Sequence, residues 1–191
     1  MMKKSLLLLA ALTLGGCATH WPETALLNPQ VIPSNQQYYS GNRITLEGVD
    51  KREAAYVFSI KKKEKAAVLV NSEQPLNNLL AEKLAEGLRS QGLEVGNSGT
   101  TNLTLAISTA AVTVEEKTFT YVTKSKVSLQ VIADFQGNKL TKQFNMSSSK
   151  EEPGEPTMAD LESTLNQQLG SVLQQIMADE ALRGYLKGQP S

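Results

Sequence analysis

Residues 102–148 read NLTLAISTAAVTVEEKTFTYVTKSKVSLQVIADFQGNKLTKQFNMSS, and this stretch decides the fold. Apolar and polar residues alternate in it, which is typical of half-buried strands. The alternation runs through three consecutive segments, at residues 102–116, 118–134 and 140–148. The first segment is long enough to need a β-bulge, which we expect near Thr109-Ala110-Ala111. Short turns separate the segments, the second being Gln136-Gly137-Asn138-Lys139, so we predict an antiparallel meander.

Three shorter strands are predicted upstream of the meander. Residues 43–49 alternate in the same way, and residues 55–60 and 66–70 flank a charged turn, Lys61-Lys62-Lys63-Glu64-Lys65. The four lysines of this turn suit contact with anionic lipid headgroups or with another acidic partner. They equally suit a solvated hairpin tip that like charges keep soluble, and we favour that second interpretation.

Two amphipathic helices are predicted, one on each side of the meander. Residues 75–91 carry a leucine stripe at helical spacing, with Pro75 in the first turn and Gly92 as the C-terminal cap. Residues 158–178 carry a longer apolar stripe, preceded by Thr157 and Asp160 at the spacing of a capping box. Its other face consists of glutamines that we expect to be in contact with water: Gln167, Gln168, Gln174 and Gln175. Residues 181–186 could add one more turn.

These elements predict an α+β fold. Each apolar stripe needs a surface to cover, and the strands offer one apolar side. We therefore expect one antiparallel sheet with both amphipathic helices packed on the same face. A chain of 191 residues suits a single such domain preceded by a shorter segment.

The N-terminus has the pattern of a secretory signal peptide that ends in a lipidation site. A positive start at Lys3-Lys4 precedes an apolar run of about ten residues, too short to span a bilayer. The run ends in Leu14-Gly15-Gly16-Cys17, which resembles a bacterial lipobox, and Cys17 is the only cysteine. The resemblance implies thioether attachment of a diacylglycerol to Cys17, cleavage before Cys17, and acylation of the new amino terminus, with palmitate among the fatty acids. In Gram-negative lipoproteins Asp at the next position favours retention in the inner membrane, whereas Ala18 stands here, which implies the outer membrane.

We expect residues 1–16 to be the signal peptide, residues 17–42 a lipid-anchored tether, and residues 43–191 the single domain. Pro22, Pro29 and Pro33 disfavour a helix in the tether. A flexible tether of about 23 residues would span roughly 25–30 Å on average. Trp21 suits the headgroup zone of a membrane, but Trp21 and Leu26-Leu27 could instead dock on the domain.

Composition argues against several chemistries. Loss of Lys3 and Lys4 with the signal peptide leaves 17 basic and 19 acidic side chains, so no basic field for nucleic acid is expected. With Cys17 lipidated, no thiol remains for catalysis, a disulfide or metal binding. The only histidine, His20, lies beside the anchor, which argues against a histidine-based catalytic triad or a histidine-rich metal site. The neighbouring carboxylates Glu115 and Glu116 are expected on opposite faces of a strand, so they cannot act together as acid and base. We expect Glu151 and Glu152 to lie in the loop that follows the meander. We expect no enzymatic activity, cofactor or metal.

The order of these elements resembles the YajG-type family of small bacterial outer-membrane lipoproteins. The resemblance rests on the lipobox and on four pieces of sequence: Val49-Asp50-Lys51-Arg52, Leu88…Gly92…Val95-Gly96, Asn102-Leu103 and Gly137-Asn138-Lys139…Thr141-Lys142. The family has no established biochemical activity, so the resemblance implies location and architecture but no catalytic residue. Asp50 and Arg52 match a family Asp-x-Arg, which we interpret as an ion pair at a strand end.

The sequence therefore predicts a lipid-anchored outer-membrane protein whose domain faces the periplasm. We expect it to be non-enzymatic and to bind another envelope component. Covalent lipid on Cys17 is expected to hold the protein on the membrane. An accessory subunit of an envelope transport or assembly machine is the alternative, and a hydrolase acting on the cell wall or on lipid is the third. The sequence leaves the oligomeric state open.

Overall fold

The computed structural model describes residues 21–188, and the predicted meander strands, upstream strands and amphipathic helices occur in it in the expected order. One sheet contains eight strands: β1 (Thr24–Ala25), β2 (Arg43–Asp50), β3 (Tyr56–Lys61), β4 (Val68–Ser72), β5 (Glu94–Gly96), β6 (Thr101–Glu116), β7 (Tyr121–Phe135) and β8 (Asn138–Glu152). There are three helices: α1 (Leu76–Ser90), α2 (Met158–Ala178) and α3 (Glu180–Leu186). The predicted α+β class is confirmed.

The sheet is mixed, which corrects the predicted antiparallel sheet. The β6–β7–β8 meander and the β3–β4 hairpin are antiparallel as expected. In contrast, β2 and β3 both run parallel to β6 and lie end to end along the edge that β7 leaves free. The short strands β5 and β1 add parallel pairs at β2 and β4. Alternation identifies a strand and its buried side but not its partner, so the parallel pairs were out of reach of the sequence pattern.

A β-bulge keeps the long central strand facing the core along its whole length. The register of β6 against β7 shifts between Ile107 and Thr109, which puts the extra residue at Ser108, beside the predicted range. Without it, the apolar positions after the bulge would turn to the opposite face. With it, Leu105 and Val112 share one face, and both are fully buried.

The helices α1 and α2 cover this face of the sheet and contact each other. Gly48 of β2 lies so close to α1 that an added Cβ would sit 2.2 Å from the carbonyl oxygen of Asn77. The capping box before α2 is present: Thr157 accepts from the N–H of Asp160, whose carboxylate accepts from the N–H of Thr157. Gly92 has φ +88° and follows α1 as predicted. Within residues 21–188, no helix has the length and apolar character needed to cross a membrane.

The segment predicted as a tether is packed on the domain from Trp21 onward. Trp21, Ala25, Leu27 and Tyr39 are buried in the same core as the sheet and the helices. The folded unit therefore includes residues 21–42 and does not begin at residue 43. For Trp21 and Leu27 the docking alternative is the one observed, whereas Leu26 is 63% exposed. The predicted signal peptide (1–16), Cys17, Ala18 and His20 lie outside the described residues.

Candidate functional site

The N-terminal segment forms an extended strap, defined here as residues 21–39, that crosses the helical layer. Its side chains alternate between the core and the solvent, with Ala25, Leu27 and Pro29 buried and Leu26, Asn28 and Gln30 exposed. At its start, β1 pairs with β4, so the strap also extends the sheet at one edge. The alternation is that of a strand, although most of the strap lies on a helix.

A row of α2 residues at four-residue spacing receives the backbone of the strap. The contacts, in order, are the Leu26 N–H to Glu162 Oε1 (2.9 Å), the Asn28 N–H to Asn166 Oδ1 (2.8 Å), the Gln30 carbonyl over Gly170, and Gln174 Nε2 to the Ile32 carbonyl (3.3 Å). Two residues of extended chain span about 6.6–6.8 Å, and four residues of helix rise about 6.0 Å. The two periods match closely enough for the strap to stay in register with α2 over seven residues.

The far end of the strap is fixed at the C-terminus of α1. The N–H of Ser34 donates to Ser90 Oγ at 2.9 Å, and the N–H groups of Tyr38 and Tyr39 donate to the carbonyl of Gln91. The Arg183 guanidinium of α3 lies 3.9 Å from the centre of the Tyr38 ring, a cation–π geometry. Burial raises the pKa of Tyr39 to about 12. The strap is therefore an integral part of the domain, held to both of its long helices.

The lysine-rich turn lies at one end of the molecule, beside two other connections. We call this end the tip and define it as residues 61–65, 117–120 and 153–157. Lys62 Nζ lies 2.7 Å from Glu155 Oε1, and this hydrogen-bonded partner raises the pKa of Lys62. The N–H of Lys63 donates to the Glu116 carboxylate at 3.0 Å. Phe119 projects from the same end and is 86% exposed, a feature that the sequence analysis did not single out.

A polar cleft of about 520 Å³ opens between the N-terminal half of α2 and the strands β7 and β8. Thr123, Ser148 and Lys150 line its sheet side, and Asp160 and Thr164 line its helix side. The side-chain and backbone hydrogen bonds of Thr157 lower the pKa of Asp160, so this carboxylate is a weak base. Asp160 is therefore suited to accepting hydrogen bonds and poorly suited to taking up a proton.

Gln168 lies in the core beside this cleft, which corrects its predicted contact with water. Its Nε2 donates to Ser125 Oγ at 2.5 Å and to Ser148 Oγ at 3.1 Å, and the two serine oxygens are 2.7 Å apart. Only 6% of Gln168 is exposed, and its Oε1 is buried with no hydrogen-bond partner in the described part of the chain. The polar trio sits where the sheet face changes from apolar residues to serine and threonine.

The Asp50–Arg52 pair is an ion pair at the end of β2, as the sequence analysis interpreted it. Arg52 Nε and Nη2 donate to the Asp50 carboxylate at 2.9 and 2.8 Å, and Nη1 donates to the carbonyls of Tyr56 and Ala110. The hydrogen bond from Arg52 lowers the pKa of Asp50. The Arg52 side chain is only 7% exposed. With its nitrogens used on three segments, Arg52 joins β2, β3 and β6 at this point.

The carboxylates considered as catalytic candidates are each engaged by a different neighbour. Glu115 pairs with Lys117 at 2.7 Å, and Glu152 pairs with Lys150 at 2.7 Å. Glu151 accepts the Thr120 hydroxyl at 2.6 Å, and Glu116 binds the lysine turn. Across residues 21–188, no group of three or more His, Cys, Asp or Glu side chains is arranged to hold a metal ion.

Comparison with known families identifies the class of protein. Residues 29–187 match the model of a family, Lipoprotein_16, described as uncharacterized lipoprotein. The chain belongs to this family. The resemblance to YajG-type lipoproteins that the sequence analysis stated is thereby confirmed. The matched range begins inside the strap, in agreement with the packing of that segment on the domain.

One solved structure shares the fold at low sequence identity. The crystal structure of protein XCC0632 from Xanthomonas campestris, of family DUF330, superposes with a TM-score of 0.64 at 9% identity, covering 87% of this chain and 98% of that one. An uncharacterized protein (TM-score 0.45, 16% identity, 82% and 98% covered) and the hypothetical protein CT253 from Chlamydia trachomatis (0.37, 11%, 78% and 99%) are more distant. No curated protein matches the chain. The first similarity establishes a common fold.

Proposed function

We propose that this lipoprotein is anchored to the outer membrane by fatty acids on Cys17 and that its domain, in the periplasm, binds another envelope component without catalysing a reaction. The observation that carries the anchoring is the match to a lipoprotein family together with Leu14-Gly15-Gly16-Cys17, four residues before the buried Trp21. Two or more acyl chains hold a protein stably on a membrane. The packed strap then connects the lipid anchor directly to the folded domain.

The chemistry of the cleft supports a binding role. The hydroxyls of Ser125 and Ser148 are bonded to each other and to Gln168, so neither is paired with a base that could activate it. The Asp160 carboxylate caps α2. A hydrolase acting on the cell wall or on lipid is accordingly the least supported of the three functions.

Membrane fractionation tests the proposed location. We expect the unmutated protein to accumulate with outer-membrane markers, and the Ala18→Asp variant to move in large part to the inner membrane. Because residue 18 precedes the packed strap, this variant should keep the stability of the domain. Recovery of the unmutated protein mainly from the inner membrane would contradict the proposed location while leaving lipidation intact.

An accessory subunit of an envelope transport or assembly machine is the alternative, and the free edge of the sheet favours it. Among the described residues, β8 pairs with β7 alone over 15 residues. Such an edge offers unpaired backbone groups to a strand of another protein. Its exposed residues are mostly serine, lysine, glutamine and asparagine, which keep it soluble when it has no partner.

Site-specific photo-crosslinking in intact cells tests this alternative. A photoreactive residue at Ser147, on the edge strand, should yield a discrete adduct with one envelope protein. The matched control is Thr113, exposed on the central strand β6, which should yield none. Equal adducts from both positions, or none from either, would count against strand addition at β8.

A further inference from the structure

The short connection between Cys17 and the packed strap limits how far the domain can stand from the membrane. Trp21 is the fourth residue after Cys17, and an extended chain spans at most about 3.6 Å per residue, or about 14 Å over these four steps. Trp21 is 8% exposed and belongs to the core. A flexible tether of 23 residues would have left the domain free to turn. The short connection instead keeps the end of the domain that contains Trp21 close to the bilayer.

Two independent registers place Trp21 at the tip. In the parallel pair of β1 with β4, Thr24 lies opposite Asn71, so the chain before Thr24 runs back toward Val68, next to the lysine turn. Along α2, Leu26 bonds to Glu162 and Asn28 to Asn166, so the chain before Leu26 runs back toward the N-terminus of the helix. The loop 153–157 that precedes this helix is part of the tip.

The tip carries the side chains that a membrane surface favours. Phe119, 86% exposed, stands on the turn between β6 and β7, and the Lys63 ammonium lies 3.4 Å from Thr118 Oγ1 in the same turn. An aromatic ring buries itself at the boundary of the acyl chains, and lysine stems reach outward to the phosphates. Acidic neighbours such as Glu116 and Glu155 offset part of the lysine charge. The short connection therefore does more than net charge to hold the tip at the surface, by raising its effective concentration there.

We propose that the tip is the membrane-facing surface of the anchored protein, with Phe119 inserted into the bilayer interface and Lys63 and Lys65 beside the lipid phosphates. The inference rests on the proposed lipidation of Cys17. In this orientation the long axis of the β-strands runs from the membrane surface outward, with the tip at the membrane end. The turn between β7 and β8 then lies about 48 Å from the tip along the sheet, because β7 has 15 residues.

A fluorophore at each end of the sheet tests this orientation on the full lipidated protein. Because lipidation consumes the thiol of the only cysteine, a single introduced cysteine is the only reactive thiol. Thr118→Cys places an environment-sensitive label beside Phe119, and Lys139→Cys, 62% exposed, places it at the opposite end. Both proteins are reconstituted with phosphatidylethanolamine–phosphatidylglycerol vesicles, and flotation shows whether they are anchored.

We expect the label at position 118 to shift to the blue and to be quenched by spin-labelled lipid, while the label at position 139 stays unshifted and unquenched. Adding Phe119→Ser to Thr118→Cys should remove the shift without affecting flotation. If the protein floats but the label at position 118 stays in water, or if Phe119→Ser leaves the shift unchanged, this orientation is overturned and the anchor stands. If the protein does not float, the proposed anchoring fails and this inference with it.

Discussion

The carbonyl oxygen of Gln30 lies over the Cα of Gly170, so close that a Cβ added to Gly170 would come within 2.4 Å of it. Glycine in a helix interior is less favourable than alanine by about 1 kcal/mol. α2 accepts that cost at the one position of the row Glu162, Asn166, Gly170 and Gln174 where the strap backbone comes into direct contact with the helix backbone. The contact shows that strap and helix are fitted to each other.

Gly170→Ala should therefore displace the strap and lower the melting temperature, although helix propensity alone predicts a gain. The matched control is Gly184→Ala in α3, where an added Cβ meets nothing within 4 Å and the melting temperature should stay level or rise. Thermal unfolding combined with limited proteolysis of the strap measures both effects. A Gly170→Ala protein that is as stable and as protease-resistant as Gly184→Ala would show that the strap is not seated on α2.

Gln168→Ala should destabilise the domain by about 1–3 kcal/mol, because it removes the amide that binds Ser125 and Ser148 and leaves space in the core. Gln167→Ala, on the exposed side of the same turn, should stay within about 0.5 kcal/mol of the unmutated protein. Denaturant unfolding of the three proteins makes the comparison. Equal stability of the two variants would support the original expectation that both glutamines contact water.

Leu165→Ala should cost roughly 2–5 kcal/mol, since Leu165 is fully buried between α2 and the sheet. On a domain with a typical margin of about 5–15 kcal/mol, the melting temperature should fall clearly. The measurement needs residues 21–191, because a protein starting at residue 41 would lack the core residues of the strap. An unchanged melting temperature would instead indicate that α2 is a free amphipathic element that docks on a partner or on the membrane.

Acid should weaken the domain partly through Asp50. Its folded-state pKa is lowered by Arg52, so its contribution to stability is present above the unfolded value of about 4 and is lost as the pH falls through the folded value. Asp50→Asn should lower stability at neutral pH, because Arg52 is left without its partner. It should also flatten the loss of stability in acid, because position 50 then carries no carboxylate that can titrate. Glu53→Gln, at an exposed neighbouring position, should leave the profile of unfolding free energy against pH as it is in the unmutated protein. Parallel profiles of Asp50→Asn and the unmutated protein would contradict this role.

The local elements of the fold were predictable because they depend on local sequence. The alternation of β6, the leucine stripe of α1 and the Thr157–Asp160 cap each act over a few residues. The parallel alignment of β2 and β3 along β6 depends on contacts more than 50 residues apart, which periodicity does not encode. One residue at Ser108 also decides which face the second half of β6 presents.

The strap and Gln168 show where composition misled the prediction. Three prolines and several polar residues favoured a tether, although Ala25, Leu27, Pro29 and Val31 already had the two-residue period of a packed strand. Glutamine on a helix usually faces water, and the serines that bind the buried amide nitrogen of Gln168 lie on strands distant in the sequence. The exposed Phe119 was likewise missed, because exposure is a property of the folded end of the sheet.

Incorporation of labelled palmitate into the unmutated protein and into Cys17→Ser, in growing cells, tests the anchored-lipoprotein account most directly. The sulfur of Cys17 is needed for thioether attachment, so the unmutated protein should carry label and migrate as the processed form. Cys17→Ser should carry none and accumulate as the longer precursor. A Cys17→Ser protein that is processed and labelled like the unmutated one would contradict the anchor, and with it the membrane orientation inferred for the domain.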